Sequence, residues 1–394
     1  MHNLAISTPI GPSLLRGFVE LEQTKFGLLT HRLPAKARAQ FSDPQLAMVE
    51  TEPSGVRLKF STAATSIELD VLPTRRQLVG IPPRSDGVYD LCIDGRLKRQ
   101  QSAAGATVVR IDMSTGTAVR EPGSVQTLRF DDLASGDKLV EIWLPHTEIT
   151  ELGTLRSNAP IEPLDDTGEP NWVHYGSSIS QGSNAVSPTQ IWPAIVANRA
   201  GLNLMNMGFG GNALLDPFVA RAIRDQPADF ISVKIGINLV NADLMRQRAF
   251  GPAVHGFLDT IRDGHPATPL LVVSPIFCPI HEMTPGPGMF DREALVAGQT
   301  KFIASGRPEE VGMGKLTLTV IREQLRALIE RLSIDDDNIQ YLDGLTLYGE
   351  QDHARLPLPD RLHPDTETHR LIGERFASHL RIAGIWPRKS EPQS

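Results

Sequence analysis

The sequence predicts a two-part protein in which a β-sandwich of jelly-roll-like type precedes a three-layer α/β/α domain with a parallel sheet. Three observations support this fold class. Short β segments separated by turn residues fill about the first 150 residues, a segment rich in Pro and Asp follows, and strands then alternate with helices along the rest of the chain. Alternation of strands and helices favours a parallel sheet that is covered by helices on both faces.

The β segments of the first half alternate in polarity or are rich in β-branched residues, and turn pairs such as Asp94-Gly95 and Pro122-Gly123 separate them. They comprise residues 66–72, 88–93, 107–113, 124–130 and 138–144. Because proline lacks an N–H and restricts the residue before it, the Pro-rich segment that follows resists both helix and sheet. We therefore predict a β-sandwich domain over residues 1–160 and a linker over residues 161–170.

The second half predicts an α/β domain over residues 171–388 and a tail over residues 389–394. Its strands are expected at 171–175, 202–207, 230–235, 269–274 and 339–342, and its helices at 190–200, 217–224, 253–262, 315–332 and 365–380. Residues 279–314 show no regular pattern. Stretches of this length serve either as lids over a site or as surface decoration, and both interpretations stay open here.

Composition excludes several classes of protein. The net charge of −7 gives no electrostatic footprint for nucleic acid. Two cysteines, Cys92 and Cys278, are too few for a disulfide scaffold or for a cysteine-built zinc or iron–sulfur site. The sequence has neither an apolar run long enough for a membrane span nor the pattern of a secretory signal, so we expect a cytoplasmic protein with reduced thiols.

Two loops that follow predicted strands attract attention. The serine-rich loop Tyr175–Gly182 follows the first strand of the α/β half, where ligands of open parallel sheets bind, although most such loops are only turns. The loop Asn206–Ala213 follows the next strand, and Gly208–Ala213 formally fits the dinucleotide fingerprint G-x-G-x-x-A. The acidic residue that this fingerprint needs is Asp229, which stands before the third strand and so at the wrong edge of the sheet. The dinucleotide hypothesis is kept as a rival.

Two further positions carry polar groups that suit catalysis. Asn238 follows the third strand and can direct its amide N–H₂ into a crevice, but an Asn there more often caps or turns the chain. Asp360 and His363 stand three residues apart before the last helix, a spacing that can place a carboxylate beside an imidazole. A surface Asp beside a helix-entry His would give the same pattern.

The order of these four motifs resembles that of the SGNH, or GDSL-type, esterase and acylhydrolase family over about residues 171–385. Gly176-Ser177-Ser178-Ile179 matches the family's Gly-Asp-Ser-Leu, Gly211 its oxyanion glycine and Asn238 the Asn of Gly-x-Asn-Asp, while Asp360 and His363 match the Asp-x-x-His block. Ser177 and Leu239 replace two family aspartates that lie outside the triad, so they leave open only how the loops are braced. An N-terminal β-sandwich is also similar to that of a known subgroup.

The resemblance implies a serine esterase that forms an acyl-enzyme on Ser178, with His363 as the base and Asp360 as its orienting carboxylate. The oxyanion hole would consist of the backbone N–H groups of Ser178 and Gly211 and the amide of Asn238. Neither a metal ion nor an organic cofactor is implied.

The expected substrate is a short-chain carboxylic ester, with an acetylated carbohydrate as one choice, so the protein would be lipase-like or an acetylesterase. The β-sandwich would either select a sugar ester or scaffold a homo-oligomer, and both roles stay open. Two alternatives of other classes remain: an oxidoreductase that binds a dinucleotide at Gly208–Ala213, and a non-catalytic carbohydrate-binding protein on an esterase scaffold.

Overall fold

A computed structural model describes residues 4–112, 114–164 and 168–384 of the chain. The predicted tail, the last four residues of the predicted α/β domain and the centre of the predicted linker lie outside the described residues. The chain forms two compact units. The first comprises the described residues up to Pro34, those from Met48 to Glu169, and Val186–Thr189, and the second comprises Ala35–Ala47, Pro170–Ala185 and those from Gln190 onward.

The first unit contains fourteen described strands. They are β1 (Ile6–Thr8), β2 (Leu15–Arg16), β3 (Glu20–Gln23), β4 (Leu28–His31), β5 (Arg57–Thr62), β6 (Ile67–Leu78), β7 (Val88–Ile93), β8 (Arg96–Ser102), β9 (Thr107–Asp112), β10 (Thr117–Glu121), β11 (Gln126–Phe130), β12 (Lys138–Trp143), β13 (Ile149–Ser157) and β14 (Ile161–Pro163). A short 3-10 helix, Pro12–Leu14, lies between the first two.

These strands form two sheets. One has the order β10-β9-β6-β13-β4-β3, with β1 paired to β13 and β11 paired to β6, and the other has the order β14-β5-β12-β7-β8, with β2 paired to β5. All pairs are antiparallel except β6 with β9. Fully buried apolar side chains from both sheets, such as Phe60 and Ile142 from one and Leu69 and Leu155 from the other, share a single core. The predicted β-sandwich is therefore confirmed, but β14 occupies the start of the segment expected to be a linker.

The second unit is built on a five-stranded parallel sheet. Its strands are β15 (Asn171–Gly176), β16 (Asn203–Gly208), β17 (Phe230–Lys234), β18 (Leu270–Val273) and β21 (Ile339–Leu342), in the order β16-β15-β17-β18-β21. Every pair in this sheet is parallel. Because β15 has β16 on one side and β17 on the other, the chain changes direction across the sheet at β15. Crevices at such switch points, outside the carboxyl ends of the strands, are where open α/β sheets bind ligands.

The helices are α1 (Ala35–Arg38), α2 (Pro44–Thr51), α3 (Ser178–Gln181), α4 (Trp192–Ala200), α5 (Pro217–Arg224), α6 (Ile237–Asn241), α7 (Gln247–Arg262), α8 (Arg292–Val296), α9 (Leu318–Leu332), α10 (Glu350–Arg355) and α11 (Thr366–Ile382). Short 3-10 helices span Pro188–Gln190, Pro308–Met313 and Gly344–Thr346. No helix among the described residues has the length and apolar character that a membrane span requires.

Alternate side chains of β15 show that helices cover both faces of the parallel sheet. The Trp172 ring packs against Trp192 of α4 and Phe376 of α11. Tyr175 points to the other face and packs against Phe257 of α7 at 5.0 Å between ring centroids. The predicted three-layer α/β/α architecture is therefore confirmed.

One stretch differs from expectation. Residues 279–314 are not irregular, because they contain a hairpin of β19 (Gly288–Phe290) and β20 (Phe302–Ala304), with α8 between the two strands. The strands are three residues long, too short to give a readable alternation.

Candidate active site

Ser178 lies at the carboxyl end of β15, at the first position of the short helix α3. Ser177 caps this helix, since its side chain accepts a hydrogen bond from the N–H of Ile179 at 3.3 Å. Ser177 thus caps the helix from the position where the family has an aspartate. The side chain of Ser178 is left free to face the crevice at the sheet edge.

The serine hydroxyl contacts the imidazole of His363. Their Oγ and Nε2 atoms are 3.0 Å apart, and His363 Nδ1 lies 2.7 Å from Asp360 Oδ2. Because a carboxylate only accepts, Nδ1 donates to Asp360 and Nε2 is left to accept the proton of Ser178. The three side chains form one continuous chain of hydrogen bonds, although the serine and the histidine are far apart in sequence.

Asp360 is held as a carboxylate by its surroundings. Burial by itself would raise the pKa of Asp360, but the charge and hydrogen bonds of His363 and the backbone N–H of Leu362 outweigh it and lower the pKa to about 2. Asp360 Oδ1 accepts the N–H groups of Leu362 at 2.9 Å and His363 at 2.6 Å. The carboxylate is therefore ionised and fixed at neutral pH.

Sequence reasoning missed Asn184, which braces this carboxylate, and His369, which holds the nearby backbone of Ser183 and Trp192. Asn184 donates from Nδ2 to Asp360 Oδ2 at 3.0 Å, and its φ of 67° is one that Asn adopts more readily than most residues. His369 accepts the N–H of Trp192 through Nδ1 and donates from Nε2 to the carbonyl of Ser183 at 3.0 Å. Burial lowers the pKa of His369 to about 4, so it stays neutral and structural.

The second motif forms a tight turn, Gly208–Asn212, which we call the glycine turn. Gln181 of α3 accepts the N–H of Gly210 at 2.7 Å, so the helix that carries Ser178 also holds this turn. A Cβ on Gly208 would lie 2.4 Å from the Gln181 nitrogen, a distance that only glycine permits. The face that a dinucleotide phosphate would approach is thus filled by α3, and the next helix, α5, begins only at Pro217.

Gly211 is the member of the turn that was predicted to donate to an oxyanion. Its φ of 76° is in the left-handed region. A Cβ there would lie 2.4 Å from the side-chain nitrogen of Gln45, which donates to the carbonyl of Gly210 at 3.1 Å. Gln45 lies in the segment Ala35–Ala47, which belongs to the second unit. No sequence pattern linked this segment to the site.

Asn238 lies in α6, just after β17, rather than at the end of the strand. Its Oδ1 accepts the N–H of Ala213 at 3.1 Å, so the side chain reaches across to the residue that follows the glycine turn. Within the described residues its Nδ2 has no hydrogen-bond partner, and the residue is 5% exposed. Leu239, in place of the family aspartate, is fully buried among apolar side chains.

The hairpin of β19 and β20 borders the same group of residues. The N–H of Phe302 donates to the carbonyl of Asp360 at 2.9 Å, and the Phe302 ring meets the His363 imidazole edge-on at 5.6 Å between centroids. Within the described residues no cluster of three His, Cys, Asp or Glu side chains is arranged to hold a metal ion.

Comparison with known proteins places this arrangement in a family. The model of the GDSL-like lipase/acylhydrolase family matches residues 170–283, a range that includes Ser178, Gly211 and Asn238. This part of the second unit is therefore similar to that family. The match supports a carboxylic ester hydrolase by class, against the oxidoreductase alternative.

Solved structures share the fold of this chain over nearly its whole length. A salicylyl-acyltransferase, SsfX3, from a tetracycline biosynthetic pathway is 27% identical, with a TM-score of 0.79 over 97% of this chain and 98% of its own. A protein described as a GDSL-like lipase from Bacteroides ovatus is 21% identical, with a TM-score of 0.64 over 94% and 95%. An acetyl xylan esterase from the rumen bacterium Butyrivibrio proteoclasticus is 11% identical, with a TM-score of 0.55 over 96% and 97%. No curated protein sequence matches the chain.

Proposed function

We propose that this GDSL-like hydrolase cleaves short-chain carboxylic esters through an acyl-enzyme on Ser178. The observation that carries the proposal is the continuous hydrogen-bond chain from Ser178 through His363 to Asp360. The glycine turn and Asn238 lie at the same edge of the sheet.

Each residue has a role that its contacts support. Ser178 Oγ attacks the ester carbonyl while His363 Nε2 takes its proton, and the same nitrogen then gives that proton to the departing alcohol. Asp360 keeps the imidazole in the tautomer that this exchange needs and stabilises the imidazolium that forms. Water then attacks the acyl-enzyme with His363 as the base again.

The negative charge that develops on the carbonyl oxygen needs donors in place beforehand. The N–H of Ser178 lies at the start of α3, the N–H of Gly211 lies in the glycine turn, and Asn238 has its oxygen fixed by Ala213. The bond to Ala213 restrains the orientation of the Asn238 amide and so favours one direction for its nitrogen. Preorganised donors of this type often supply the largest single contribution to the rate.

The test is hydrolysis of p-nitrophenyl acetate with and without a serine-reactive phosphonate, followed by mapping of the labelled peptide. We expect label on Ser178, and loss of activity in both Ser178→Ala and His363→Ala. His255 offers a matched control, because it is an exposed histidine whose Nδ1 lies 2.8 Å from Asp259 Oδ2. Full activity in His255→Ala with none in His363→Ala supports the proposal, whereas label on any other serine contradicts it.

Transfer to an alcohol instead of water is a second candidate function. It is favoured by the likeness to the salicylyl-acyltransferase, a structure named for acyl transfer. An acyl-enzyme partitions between the two acceptors, so hydrolysis in rising concentrations of a test alcohol, such as butanol or a sugar, distinguishes them. A transferase gives mainly the new ester at millimolar acceptor, whereas a hydrolase gives mainly free acid. The same assay compares a carbohydrate hydroxyl with an apolar alcohol as the natural partner of the acyl group.

A further inference from the structure

The segment Gly288–Ala304, which we call the insert hairpin, is attached to the loop that carries the acid and the histidine. The N–H of Phe302 donates to the carbonyl of Asp360 at 2.9 Å. Asp291 of the same hairpin pairs with Arg361, the residue after that carboxylate, with 3.0 Å between Oδ2 and Nη1. The hairpin therefore has two separate attachments to the short loop that carries Asp360 and His363.

Phe302 of the insert hairpin contacts the imidazole, and Phe290 packs against Phe302. Phe302 packs edge-on against His363 at 5.6 Å between centroids, and Phe290 packs against Phe302 at 4.9 Å. Both rings are only partly buried, so each exposes apolar surface to solvent, and that of Phe302 lies next to the histidine.

The chemistry assigns a side of the site to these rings. In the proposed reaction the departing alcohol takes its proton from His363 Nε2, so its oxygen must come within about 3 Å of that nitrogen. Ser178 meanwhile holds the acyl group on the side of the glycine turn and Asn238. A group that borders the imidazole is therefore better placed to contact the alcohol half of the ester than the acyl half.

We propose that Phe302, with Phe290 behind it, forms the wall of the alcohol subsite and selects esters of aryl or other flat, apolar alcohols. This inference rests on the proposed function, because it uses the proton transfer from His363 to define the alcohol side. An edge of an aromatic ring facing another ring is an arrangement that aromatic pairs favour. The acyl group faces other residues, so Phe302 and Phe290 do not select its length.

The experiment compares two esters that share the acetyl group, 2-naphthyl acetate and ethyl acetate. Both give the same acetyl-enzyme, so differences in kcat/KM arise only in the steps in which the alcohol is present. Phe302→Ala is expected to lower kcat/KM for the naphthyl ester about three- to tenfold more than for the ethyl ester, in line with an aromatic contact. Phe302→Leu, which keeps an apolar side chain, is expected to fall between. Met289→Ala is the control, because Met289 lies on the same hairpin but is 40% exposed.

A second series of esters separates a contact between Phe302 and the alcohol from a general loss of activity. The ratio of kcat/KM for p-nitrophenyl acetate to kcat/KM for p-nitrophenyl butyrate is expected to stay the same in Phe302→Ala, because the two esters differ only in the acyl group. An equal loss for naphthyl and ethyl esters would overturn the inference, since the ring would then only position His363. No loss for either ester would overturn it as well.

Binding of 2-naphthol, the alcohol product, tests the subsite without turnover. In a Ser178→Ala background, which cannot form an acyl-enzyme, we expect naphthol fluorescence to report a Kd several-fold weaker once Phe302→Ala is added. If phosphonate labelling of Ser178 failed while this difference persisted, the proposed reaction would be wrong, and Phe302 would bind aromatic groups without forming an alcohol subsite. Equal naphthol affinity with and without Phe302 would refute the subsite itself.

Discussion

Replacement of Asn238 is the sharpest test of the oxyanion hole. The structure gives this side chain two separable groups: Oδ1 accepts the N–H of Ala213 at 3.1 Å, and Nδ2 has no described partner. Asn238→Ala removes both groups, whereas Asn238→Asp keeps an acceptor for Ala213 and removes only the donor. The pair of variants therefore separates fixing of the turn from donation to the substrate.

The expected magnitude follows from the group that is lost. Loss of one oxyanion donor lowers kcat by about 10²- to 10³-fold, or about 2.7–4 kcal/mol. KM should change little in Asn238→Ala, because the bond strengthens mainly in the transition state. The lost bond to Ala213 should reduce the free energy of unfolding by only about 1 kcal/mol. Asn238→Asp should spare that stability but lower kcat at least as much, because a carboxylate then faces the developing negative charge.

The assay is steady-state hydrolysis of p-nitrophenyl acetate, with urea denaturation of each variant alongside. A kcat for Asn238→Ala within a few-fold of the unmodified protein would refute the donor role. So would an active Asn238→Asp, because donation would then be unnecessary. Either result would leave the N–H groups of Ser178 and Gly211 to hold the oxyanion alone.

Three further predictions follow from contacts that surround the site. Asn184→Ala removes the donor to Asp360 Oδ2 and should lower kcat about tenfold, which corresponds to roughly 1.4 kcal/mol. This loss should be smaller than that in Asp360→Ala. A larger loss than in Asp360→Ala would contradict an orienting role for Asn184. Gln45→Ala removes the bond to the glycine turn and should lower kcat by about two- to tenfold, at the scale of one neutral hydrogen bond, with KM unchanged; a pure KM effect would mean that Gln45 touches substrate instead. Burial, aided by the nearby charge of Asp43, raises the pKa of Asp216 to about 6. The folded protein therefore binds more protons than the unfolded chain between about pH 4 and 6, so this group lowers stability as pH rises through that window, and Asp216→Asn should flatten this part of a denaturation-against-pH curve.

The strands and helices of the α/β unit were predictable because their boundaries are marked in the sequence. The helix α5 begins at Pro217 and ends at Arg224 as predicted, and β21 has its predicted limits. Pro is suited to the first turn of a helix, which fixes the start of α5. Where no such residue stands at a boundary, as at the start of α7, the helix begins at Gln247, six residues earlier than predicted.

Nine of the fourteen described strands of the β-sandwich escaped detection, and two of them show the physical reasons. Along β13 the pairing with β6 shifts between Leu152 and Leu155, so the inward positions change phase within one strand. A bulge of this kind destroys the simple alternation that identifies a strand. The strand β8 lies at a sheet edge and is almost wholly exposed, so it carries charged residues instead of alternating apolar ones.

The site was predictable where residues act through their chemistry and not where they act through position. The order of motifs along the chain points to five residues, Ser178, Gly211, Asn238, Asp360 and His363. Their roles stay predictions until the variants are measured. Asn184 and Gln181 are single polar residues in ordinary loops, and only the folded chain shows what they hold. Phe302 stands in a segment whose pattern gave no reason to join it to the histidine.

The segment Ala35–Ala47 makes the hydrolase unit a poor candidate for transfer as a cassette. This unit takes a piece of chain from before most of the β-sandwich, and Gln45 of that piece bonds to the glycine turn. A truncated version that starts near Pro170 would keep every triad residue yet lose this bond and the cover over Gly211. Chimeras that exchange the sandwich for another domain would need to carry Ala35–Ala47 with the catalytic half. Recombination during evolution faces the same restriction, so the two halves of such a chain are expected to be inherited together.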